Sequence, residues 1–465
     1  MVSKKAAKPL SILQDNFGIY EASGELWIVD LSEVVDIQAG KMVGELSFYK
    51  KQAGEVKMRR FLEASAFDSD PKNLISQFWL SPKTRVFKQT AFSPKKTDSA
   101  TINFWVGNVI APKQGDWSQI RQFLEDVICG GDKEVSNYLL SYLAHMIWHP
   151  DKKPGIMVVL LGSQGTGKGT FFTLLRRLWP RTTLQVGDIE QIVGTFNASL
   201  ERNYAICMDE ALFSGDRKKL DRLKYLITEP VCRIEQKYQP SRTIDSYHRF
   251  FAASNNEQFA HIERDDRRFL FLRVVDSKKC NTDYFSKLHK LMEDPSVISA
   301  MLYDLINLDI SSFDIRRRPA TDEHLNQKLQ SLTGFERFWF EILQSGSLTG
   351  SDISSFDEWI DGKFVATHSL ITNFKNYDKN SERYGTFQSR GIATHLEKYC
   401  PSAKSNRGKS GHSKQVRGYD LPSLQIARAE FQKAIGGEVD WGDSSVAAIF
   451  EALKRGYLVD EGAHP

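Results

Sequence analysis

Four runs dominated by apolar residues lie in the middle of the chain, at 156–161, 204–208, 249–253 and 269–275. Short continuous apolar runs are typical of β-strands that are buried on both faces. A glycine-rich stretch follows the first run, Asp209 and Glu210 follow the second, and Ser254 and Asn255 follow the third. The pattern predicts an α/β core that carries polar functional residues at the ends of its strands.

The segment 117–149 has the spacing of two amphipathic helices. Apolar residues share one face of each helix, first at Ile120, Phe123, Leu124 and Val127, then at Val135, Leu139, Tyr142, Leu143 and Met146. Gly130 and Gly131 separate the two helices, and Asp132 is placed to cap the second.

The two ends of the chain have different patterns. Residues 1–115 contain short strands such as 26–29 and 85–87 and are predicted to form a β-rich unit. Asp68 and Asp70 form an Asp-x-Asp pair of the kind that binds metal, but Pro71 follows directly and favours a turn. Near the other end, helices are predicted at 367–377 and 387–399, followed by a loop at 403–411 and a strand at 415–419.

Composition limits the class of protein. The chain of 465 residues is long enough for about three domains, and 41% hydrophobic with 26% charged residues is typical of a soluble globular protein. No apolar run reaches the length of about 18 residues that a membrane-spanning helix needs. The five cysteines form no Cys-x-x-Cys pair, which argues against a zinc ribbon and a disulfide framework and indicates a reducing cytoplasm.

The net charge of +4 conceals a local excess of basic residues. Between Lys363 and Lys433 there are 13 lysines and arginines against 5 acidic residues, a local balance of +8. Two helices followed by a basic loop and a strand indicate a winged helix that contacts DNA phosphates. The alternative is a solvated helical cap that carries a disordered basic loop.

The glycine-rich stretch carries the strongest chemical signal. It lies between the strand at 156–161 and a helix at 171–178, as a phosphate-binding loop does. The backbone N–H groups of such a loop bind phosphate together with the helix N-terminus, and Lys168 reaches the β- and γ-phosphates. The residues predicted to bind ATP are Gly162, Ser163, Gln164, Gly165, Thr166, Gly167, Lys168, Gly169 and Thr170.

One position departs from the usual loop. Gly169 stands where a Ser or Thr hydroxyl normally meets Mg²⁺, and Thr170 follows one residue later. Adenylate kinases also carry a Gly-Lys-Gly-Thr loop, so the variant is compatible with ATP. The sequence leaves three ways to hold the metal: through Thr170, through water, or mainly through an acidic residue elsewhere.

The end of the second apolar strand supplies such an acidic residue. Asp209 lies about 40 residues after Lys168 and is predicted to bind Mg²⁺. Glu210 can orient and deprotonate the attacking water. Asn255, at the end of the third strand, can position that water or sense the γ-phosphate.

Two further segments narrow the class. Residues 233–237, a turn at 239–241 and a return strand at 242–245 predict a hairpin that contains Lys237. Arg267 and Arg268 come just before the fourth apolar strand. An arginine there can reach the γ-phosphate of a neighbouring subunit, as an arginine finger does.

The order of these motifs resembles the superfamily 3 helicase domain of the AAA+ class, found in parvovirus Rep proteins and in phage or plasmid primase-helicases. The motifs are the phosphate loop, Asp209-Glu210, the hairpin with Glu235-Gln236-Lys237, Ser254-Asn255 and the Asp-Arg-Arg-Phe segment at 266–269. The likeness is strongest to the phage-type primase-helicases and covers about residues 150–275. It implies an ATP hydrolase that uses Mg²⁺ and moves on single-stranded and forked DNA. The partners it implies are other copies of the chain in a ring, a hexamer, and a separate primase or polymerase.

The resemblance also implies a role for each matching residue. Lys168 would bind phosphate, Asp209 would bind Mg²⁺, and Glu210 would be the general base. Asn255 would be the sensor of the γ-phosphate, and Arg267 or Arg268 would be the arginine finger. Lys237 would bind single-stranded DNA in a central channel.

The predicted architecture has four parts. They are a β-rich region at 1–115, a helical collar at 116–150, an AAA+ ATPase at 151–325 and a winged-helix-like basic domain at 326–465. In the last part, DNA contacts are expected on a recognition helix and a wing, at Arg390, Lys398, Lys404, Arg407, Lys409, Lys414 and Arg417.

Two other functions compete with a helicase. A nucleoside monophosphate kinase would account for the Gly-Lys-Gly-Thr loop, but not for Asp209 and Glu210 together with Asn255. An origin-binding initiator or loader would use the same ATP site without unwinding DNA.

Overall fold

A computed structural model of the chain describes residues 9–22, 24–31, 47–65, 70–105, 107–108, 110–211, 213, 216–235, 241–263, 266–348, 359–377, 389–409 and 415–442. The chain divides into two compact units. The first unit comprises Met1–Phe259 and Arg267–Thr321, and the second comprises Ala260–Asp266 and Asp322–Pro465. The border after Thr321 lies near the expected domain border at 325/326, and the regions 1–115 and 116–150 belong to the same unit as the predicted ATPase.

The N-terminal part of the first unit mixes helices and strands. Its strands are β1 (Phe17–Ala22), β2 (Glu25–Asp30), β3 (Ser47–Lys50), β4 (Val86–Phe87), β5 (Gln89–Ala91) and β6 (Thr101–Asn103). Four of them form a sheet in the order β3-β2-β1-β4, and β5 pairs with β6. Its helices are α1 (Pro9–Asn16), α2 (Lys51–Ala64) and α3 (Pro71–Leu80). The strands expected at 26–29 and 85–87 are present, but the prediction of a β-rich unit is wrong about the helices.

The sequence did not reveal these helices because their apolar faces are narrow. Helix α2 buries Gly54, Met58 and Leu62, one residue per turn among polar neighbours, so its periodicity is weak in the sequence. Helix α3 begins at Pro71 because the Asp70 side chain accepts the Lys72 N–H at 3.1 Å and caps the helix. Asp70 is thus a helix cap, and Asp68 lies outside the described residues.

Two helices precede the central sheet, as the spacing predicts. They are α4 (Ser118–Gln122), extended by a π-helical segment at Phe123–Ile128, and α5 (Lys133–Trp148). The Asp132 carboxylate accepts the N–H groups of Glu134 and Val135 at 2.8 and 3.1 Å, so the predicted cap is confirmed. The apolar faces of both helices pack into one hydrophobic core with the central sheet.

Five strands form that central sheet. They are β7 (Met157–Leu161), β8 (Thr183–Val186), β9 (Ala205–Met208), β12 (Arg249–Ser254) and β13 (Phe269–Arg273). They lie in the order β13-β7-β12-β9-β8, and every neighbouring pair is parallel. The four predicted apolar strands are therefore confirmed, and their carboxyl ends meet at one edge of the sheet.

The first unit contains further helices and one more pair of strands. Its other helices are α6 (Lys168–Leu178), α7 (Glu190–Val193), α8 (Arg217–Thr228), α9 (Thr282–Glu293) and α10 (Pro295–Asn307). Strands β10 (Val231–Ile234) and β11 (Arg242–Asp245) form the predicted antiparallel hairpin. Within the described ranges of the chain, no helix is long and apolar enough to cross a lipid bilayer.

The second unit combines five helices with a small antiparallel sheet among its described residues. In chain order they are α11 (Asp322–Gln330), α12 (Gly334–Ser345), β14 (Lys363–Ala366), α13 (Thr367–Tyr377), α14 (Ser389–Tyr399), β15 (Lys404–Lys409), β16 (Gln415–Leu421) and α15 (Leu424–Ile435). The sheet has the order β14-β16-β15. The two predicted helices and the strand at 415–419 are confirmed.

The segment 403–411 was expected to be a loop, but most of it forms β15. Its glycine, serine and lysine composition is typical of a loop, whereas pairing with β16 satisfies its backbone hydrogen bonds. Gly408 and Gly418 allow the Phe364 ring to lie against this pair, because a Cβ on either glycine would come within 2.8 Å of the ring.

Candidate nucleotide-binding site

The glycine-rich loop that the sequence predicts to bind phosphate, called the phosphate loop here, joins β7 to α6 at the carboxyl edge of the central sheet. Gly165 and Gly167 adopt φ values of +79° and +106°, which favour glycine. A Cβ on Gly167 would also lie 2.8 Å from Cε1 of Phe285, and 3.1 Å from Cε2 of Phe123 in the π-helical segment. The loop therefore needs glycine for its backbone conformation and for its packing, which fits a cradle of backbone N–H groups for phosphate.

Lys168 is the first residue of α6 and is buried. Its Nζ donates to the carbonyl oxygens of Gly162 and Ser163 at 2.6 and 2.7 Å. Burial lowers the pKa of Lys168, and the nearby carboxylates of Asp209, Asp276 and Glu210 oppose that shift. The ammonium group is thus held over the loop, where bound phosphates could replace the two carbonyl oxygens as its partners.

The two residues after Lys168 differ in their surroundings. Gly169 is exposed, and a Cβ built there would meet nothing within 4 Å. Thr170 is buried, and its Oγ1 lies 3.0 Å from Nε2 of His289 on α9. The Thr170 hydroxyl therefore has a protein partner, and Gly169 offers no side chain to a metal.

Asp209 and Glu210 follow β9 at the same edge of the sheet. Asp209 Oδ2 accepts a hydrogen bond from Gln185 Nε2 at 3.1 Å, which orients the carboxylate. Glu210 is exposed and has a φ of +52°, a left-handed conformation that a residue with a side chain rarely adopts. Such strained residues cluster at functional sites because the surrounding structure holds them there.

Strand β12 lies between the phosphate-loop strand and the Asp209 strand. The Ser254 carbonyl accepts the Gly162 N–H at 3.3 Å, and the Ala253 carbonyl accepts the Ala211 N–H at 2.9 Å. Asn255 follows directly and is exposed at this edge. The structure thus brings the ends of the three strands together, with Asn255 between Lys168 and Glu210 in the order of the sheet.

Several residues at the loop were not found from the sequence. Asp276 accepts a hydrogen bond from Ser163 Oγ at 3.3 Å, and the Cys280 N–H donates to the Gly165 carbonyl at 3.0 Å. Together with His289 they follow β13, more than 100 residues after the loop. They form no motif, so only the pairing of β13 with β7 reveals them.

Arg267 and Arg268 lie at the opposite edge of the sheet. Strand β13 runs parallel to β7 with Phe269 opposite Met157, and the Arg268 carbonyl accepts the Met157 N–H at 2.8 Å. The phosphate loop follows the other end of β7, five residues or roughly 16 Å further along. The backbone at these arginines is therefore remote from the phosphate loop of its own chain.

The predicted DNA-binding residues differ in their exposure and in their contacts, and two of them are not described by the structure. Lys237 and Lys414 lie outside the described residues. Arg390, Lys404 and Lys409 are exposed, whereas Lys398 Nζ is bound to Glu336 Oε1 at 3.1 Å.

The wing strands carry an unusual pair. Arg407 on β15 lies directly opposite Arg417 on β16, and both residues are exposed. Like charges at opposite positions of an antiparallel pair destabilise it, and a bound anion would relieve that repulsion.

His145 and His149 lie one turn apart at the end of α5. His145 is buried, and burial lowers its pKa to about 3, so the ring is neutral near pH 7. Its ring lies 5.1 Å from the His149 ring, centroid to centroid, within the helix-packed part of the first unit.

Comparison with known proteins identifies a fold and distant relatives. A family described as a family of unknown function, DUF5906, matches residues 160–268, which contain the loop, Asp209, Glu210, Asn255 and both arginines. The DNA primase-polymerase of Nitratiruptor phage NrS-1 is 25% identical over 141 residues, which are 30% of this chain and 20% of that protein.

Solved structures extend the likeness to most of the chain. The apo structure of the NrS-1 C-terminal region has a TM-score of 0.60 at 13% identity and covers 90% of this chain and 100% of that one. A second apo structure of that region gives a TM-score of 0.59 at 13% identity, with 89% and 99% covered. This protein therefore has the mixed α/β fold of that region, while its sequence match spans a fifth of the phage protein.

Proposed function

We propose that this protein is an ATP-driven DNA helicase of superfamily 3 type that works as a ring, a hexamer, in the replication of a phage, plasmid or similar element. One observation carries the proposal. Lys168, Asp209, Glu210 and Asn255 follow strands that end at one edge of a parallel sheet, and Arg267 precedes a strand at the other edge. The AAA+ class of the first unit and the winged helix of the second are parts of the same proposal.

The residues at the loop suit hydrolysis of ATP. A water molecule positioned by Asn255 would attack the γ-phosphorus while Glu210 accepts its proton. The bond from the γ-phosphorus to the β,γ-bridging oxygen would break, giving ADP and inorganic phosphate. Asp209 would hold Mg²⁺, which neutralises charge on the phosphate oxygens when bound.

The spacing of the strands supports hydrolysis over transfer to a second nucleotide. Because β12 separates β7 from β9, the base and the phosphate loop do not follow adjacent strands, and Asn255 follows the strand between them. A monophosphate kinase gains nothing from a carboxylate base placed to activate water.

A ring follows from the placement of the arginines. An arginine that is remote from the loop of its own chain can complete only the site of another copy. A head-to-tail arrangement of this kind closes into a ring when the rotation between subunits permits it. Hydrolysis would then depend on assembly.

DNA contacts are proposed in both units. Lys237, which lies between β10 and β11 in the sequence, would bind phosphates of single-stranded DNA, and the second unit would bind duplex or forked DNA through its wing. The relation to a phage primase-polymerase supports a role in replication. A separate primase or polymerase would supply new strands.

Lys168→Ala is expected to abolish ATP binding and, with it, the unwinding of a forked DNA duplex. Lys168 is the buried ammonium group at the loop, and its Nζ is held by two carbonyl oxygens of the loop itself. Binding of a fluorescent ATP analogue and strand separation would both be measured, with the exposed Lys133→Ala as the control. Normal unwinding by Lys168→Ala would refute the proposed function.

The double variant Arg407→Ala/Arg417→Ala should weaken binding of duplex DNA and lower its dependence on salt. Each lost phosphate contact reduces the slope of log affinity against log salt by about 0.9. Lys398→Ala is the comparison, and we expect a smaller effect because Glu336 already neutralises Lys398. Equal affinity and slope in the double variant and the parent would show that the wing binds a partner other than DNA.

The same wing favours a second candidate, an origin-binding initiator or loader that hydrolyses ATP without unwinding. The opposed Arg407 and Arg417 suit duplex DNA more than a single strand threaded through a ring. ATP-dependent separation of a forked substrate distinguishes the two, since a loader would hydrolyse ATP and leave the strands paired.

A further inference from the structure

Helices α2 and α3 of the first unit form a groove that the proposed function does not use. Glu55 Oε1 accepts a hydrogen bond from Trp79 Nε1 at 3.0 Å, which joins α2 to α3. The buried faces of both helices pack into one apolar cluster with residues of β1 and β2. The packed core therefore fixes the two walls of the groove relative to each other.

The groove encloses about 350 Å³ and is lined by one face of each helix. Lys51, Glu55 and Arg59 line it from α2, where they recur every four residues and therefore form one stripe. Lys72 and Trp79 are among the residues that line it from α3. The two cations of α2 are roughly 12 Å apart along the helix, so they would contact different groups of an extended ligand.

Cations outnumber carboxylates in the groove by three to one. Lys51, Arg59 and Lys72 are exposed, and within the part of the chain that the structure describes none of them forms an ion pair. Lys57, on another face of α2, pairs instead with Asp30 at 3.6 Å. A cleft lined mainly by charges of one sign attracts ligands of the opposite sign. The groove therefore favours an anionic ligand.

The groove also has an aromatic and apolar wall. Trp79 is half-buried, and Lys51 Nζ lies 5.1 Å from the centroid of its ring. Leu80, the next residue, also lines the groove and is 82% exposed. Glu55, the one carboxylate in the groove, is bonded to the indole N–H and so holds the ring in place. Cations beside an accessible aromatic surface are typical of sites that bind single-stranded nucleic acid.

We propose that the groove between α2 and α3 binds single-stranded DNA. Its phosphates lie against Lys51, Arg59 and Lys72, and a base packs on Trp79 and Leu80. A single strand suits the groove better than a duplex, because the faces of its bases are free to stack on a side chain. An acidic peptide would engage the cations alone. The site is additional to the ATP site and to the DNA contacts of the proposed function, none of whose residues line it.

Arg59→Ala/Lys72→Ala should weaken binding of a fluorescently labelled oligothymidylate on the order of tenfold. Each phosphate contact to a single strand contributes about 0.7 to the slope of log affinity against log salt, so the slope should fall by about 1.4. Both side chains are exposed, so the substitutions leave the packed core intact. Binding is measured by fluorescence anisotropy across a salt series, with the full chain and without ATP.

Arg60→Ala/Lys133→Ala is the matched control, because it removes the same charge from outside the groove. Arg60 is the next residue of α2 and Lys133 begins α5, and both are exposed. The control should keep the affinity and the salt slope of the parent. Equal losses in the two double variants would reveal a general electrostatic attraction and overturn the groove as a site.

Trp79→Leu removes the ring and keeps an apolar side chain. The loss of base stacking should weaken binding about fivefold to a hundredfold, while the salt slope stays the same because no charge is removed. Trp79→Phe keeps a ring and should retain most of the affinity. If Trp79→Leu does not fold, Leu80→Ser at the exposed neighbouring position takes its place and should likewise lower the affinity without altering the slope.

Two further results would overturn the proposal. The first is equal affinity and slope in Arg59→Ala/Lys72→Ala and in the parent. The second is full affinity for DNA in Trp79→Leu, together with binding of polyglutamate to the parent that Arg59→Ala/Lys72→Ala abolishes. The groove would then belong to an acidic protein partner.

The test of the groove is independent of the proposed helicase activity. Because binding is measured without ATP, a parent protein that cannot unwind DNA can still lose affinity in Arg59→Ala/Lys72→Ala. In that case the groove stands and the helicase fails. If the parent unwinds DNA and the double variant binds oligothymidylate as the parent does, only the groove fails.

Discussion

Replacing Glu210 with glutamine is expected to lower ATP hydrolysis about 10²–10⁴-fold, the usual contribution of a positioned general base, and to leave ATP binding intact. Glutamine keeps the size of the side chain and can still hydrogen-bond water, but it cannot accept the proton. The phosphate loop and Lys168 are unchanged, so the affinity for ATP should stay within about twofold of the parent.

The position of Glu210 supports this separation of binding from chemistry. It is exposed at the edge where the loop lies, and its carboxylate is among the charges that act on Lys168. We expect the glutamine variant to keep the left-handed φ of +52° at this position, since the substitution alters only the end of the side chain.

Glu257→Gln provides the control for the loss of one carboxylate. Glu257 is exposed two residues after Asn255 and is paired with Arg273 at 2.7 Å, so its loss removes the same charge near the same edge. Phosphate release would be measured by steady-state assay, and ATP binding by fluorescence. Hydrolysis by Glu210→Gln at the parental rate would remove Glu210 from the role of base.

Arg267→Ala is expected to cause a loss of similar or greater size, about 10³–10⁵-fold in kcat, as the removal of an arginine finger does. The physical reason is its remoteness from the loop of its own chain, so under the proposed function its charge would act in a neighbouring site. Nucleotide binding by the separate subunit should therefore be preserved.

A shared site makes a specific prediction for mixtures. In an equal random mixture with Glu210→Gln, roughly a quarter of the interfaces pair an intact base with an intact finger. Phosphate release should then exceed the sum of the two variants measured alone. Arg217→Ala, on an exposed turn of α8, is the control and should behave as the parent. Mixed rings that form but show no gain would exclude a finger acting between subunits.

Local features were predicted well because their causes are local. The phosphate loop needs a strand, a glycine-rich turn and a helix in immediate succession, and the chain shows all three between 156 and 178. The same holds for Asp132, whose capping role depends only on the next three residues. Interactions of short range leave their signature in neighbouring positions.

Features that depend on weak amphipathicity were missed. Helix α2 buries only Gly54, Met58 and Leu62, and an apolar face this narrow gives too weak a helical periodicity to be recognised in the sequence. Strand β15 has a loop-like composition and becomes a strand through its partner β16. In both cases the tertiary environment outweighs intrinsic propensity.

The sequence by itself determined the α/β core, the order of its motifs and which side chains follow its strands, because buried strands and glycine-rich loops are each formed by contiguous residues. Only the tertiary structure decided that β12 separates the loop from Asp209, that Thr170 contacts His289, and that Arg267 lies at the far edge of the sheet. It also decided that Ala260–Asp266 belong to the second unit. Each of these depends on residues far apart in the chain, and their proximity is set by strand order and by packing.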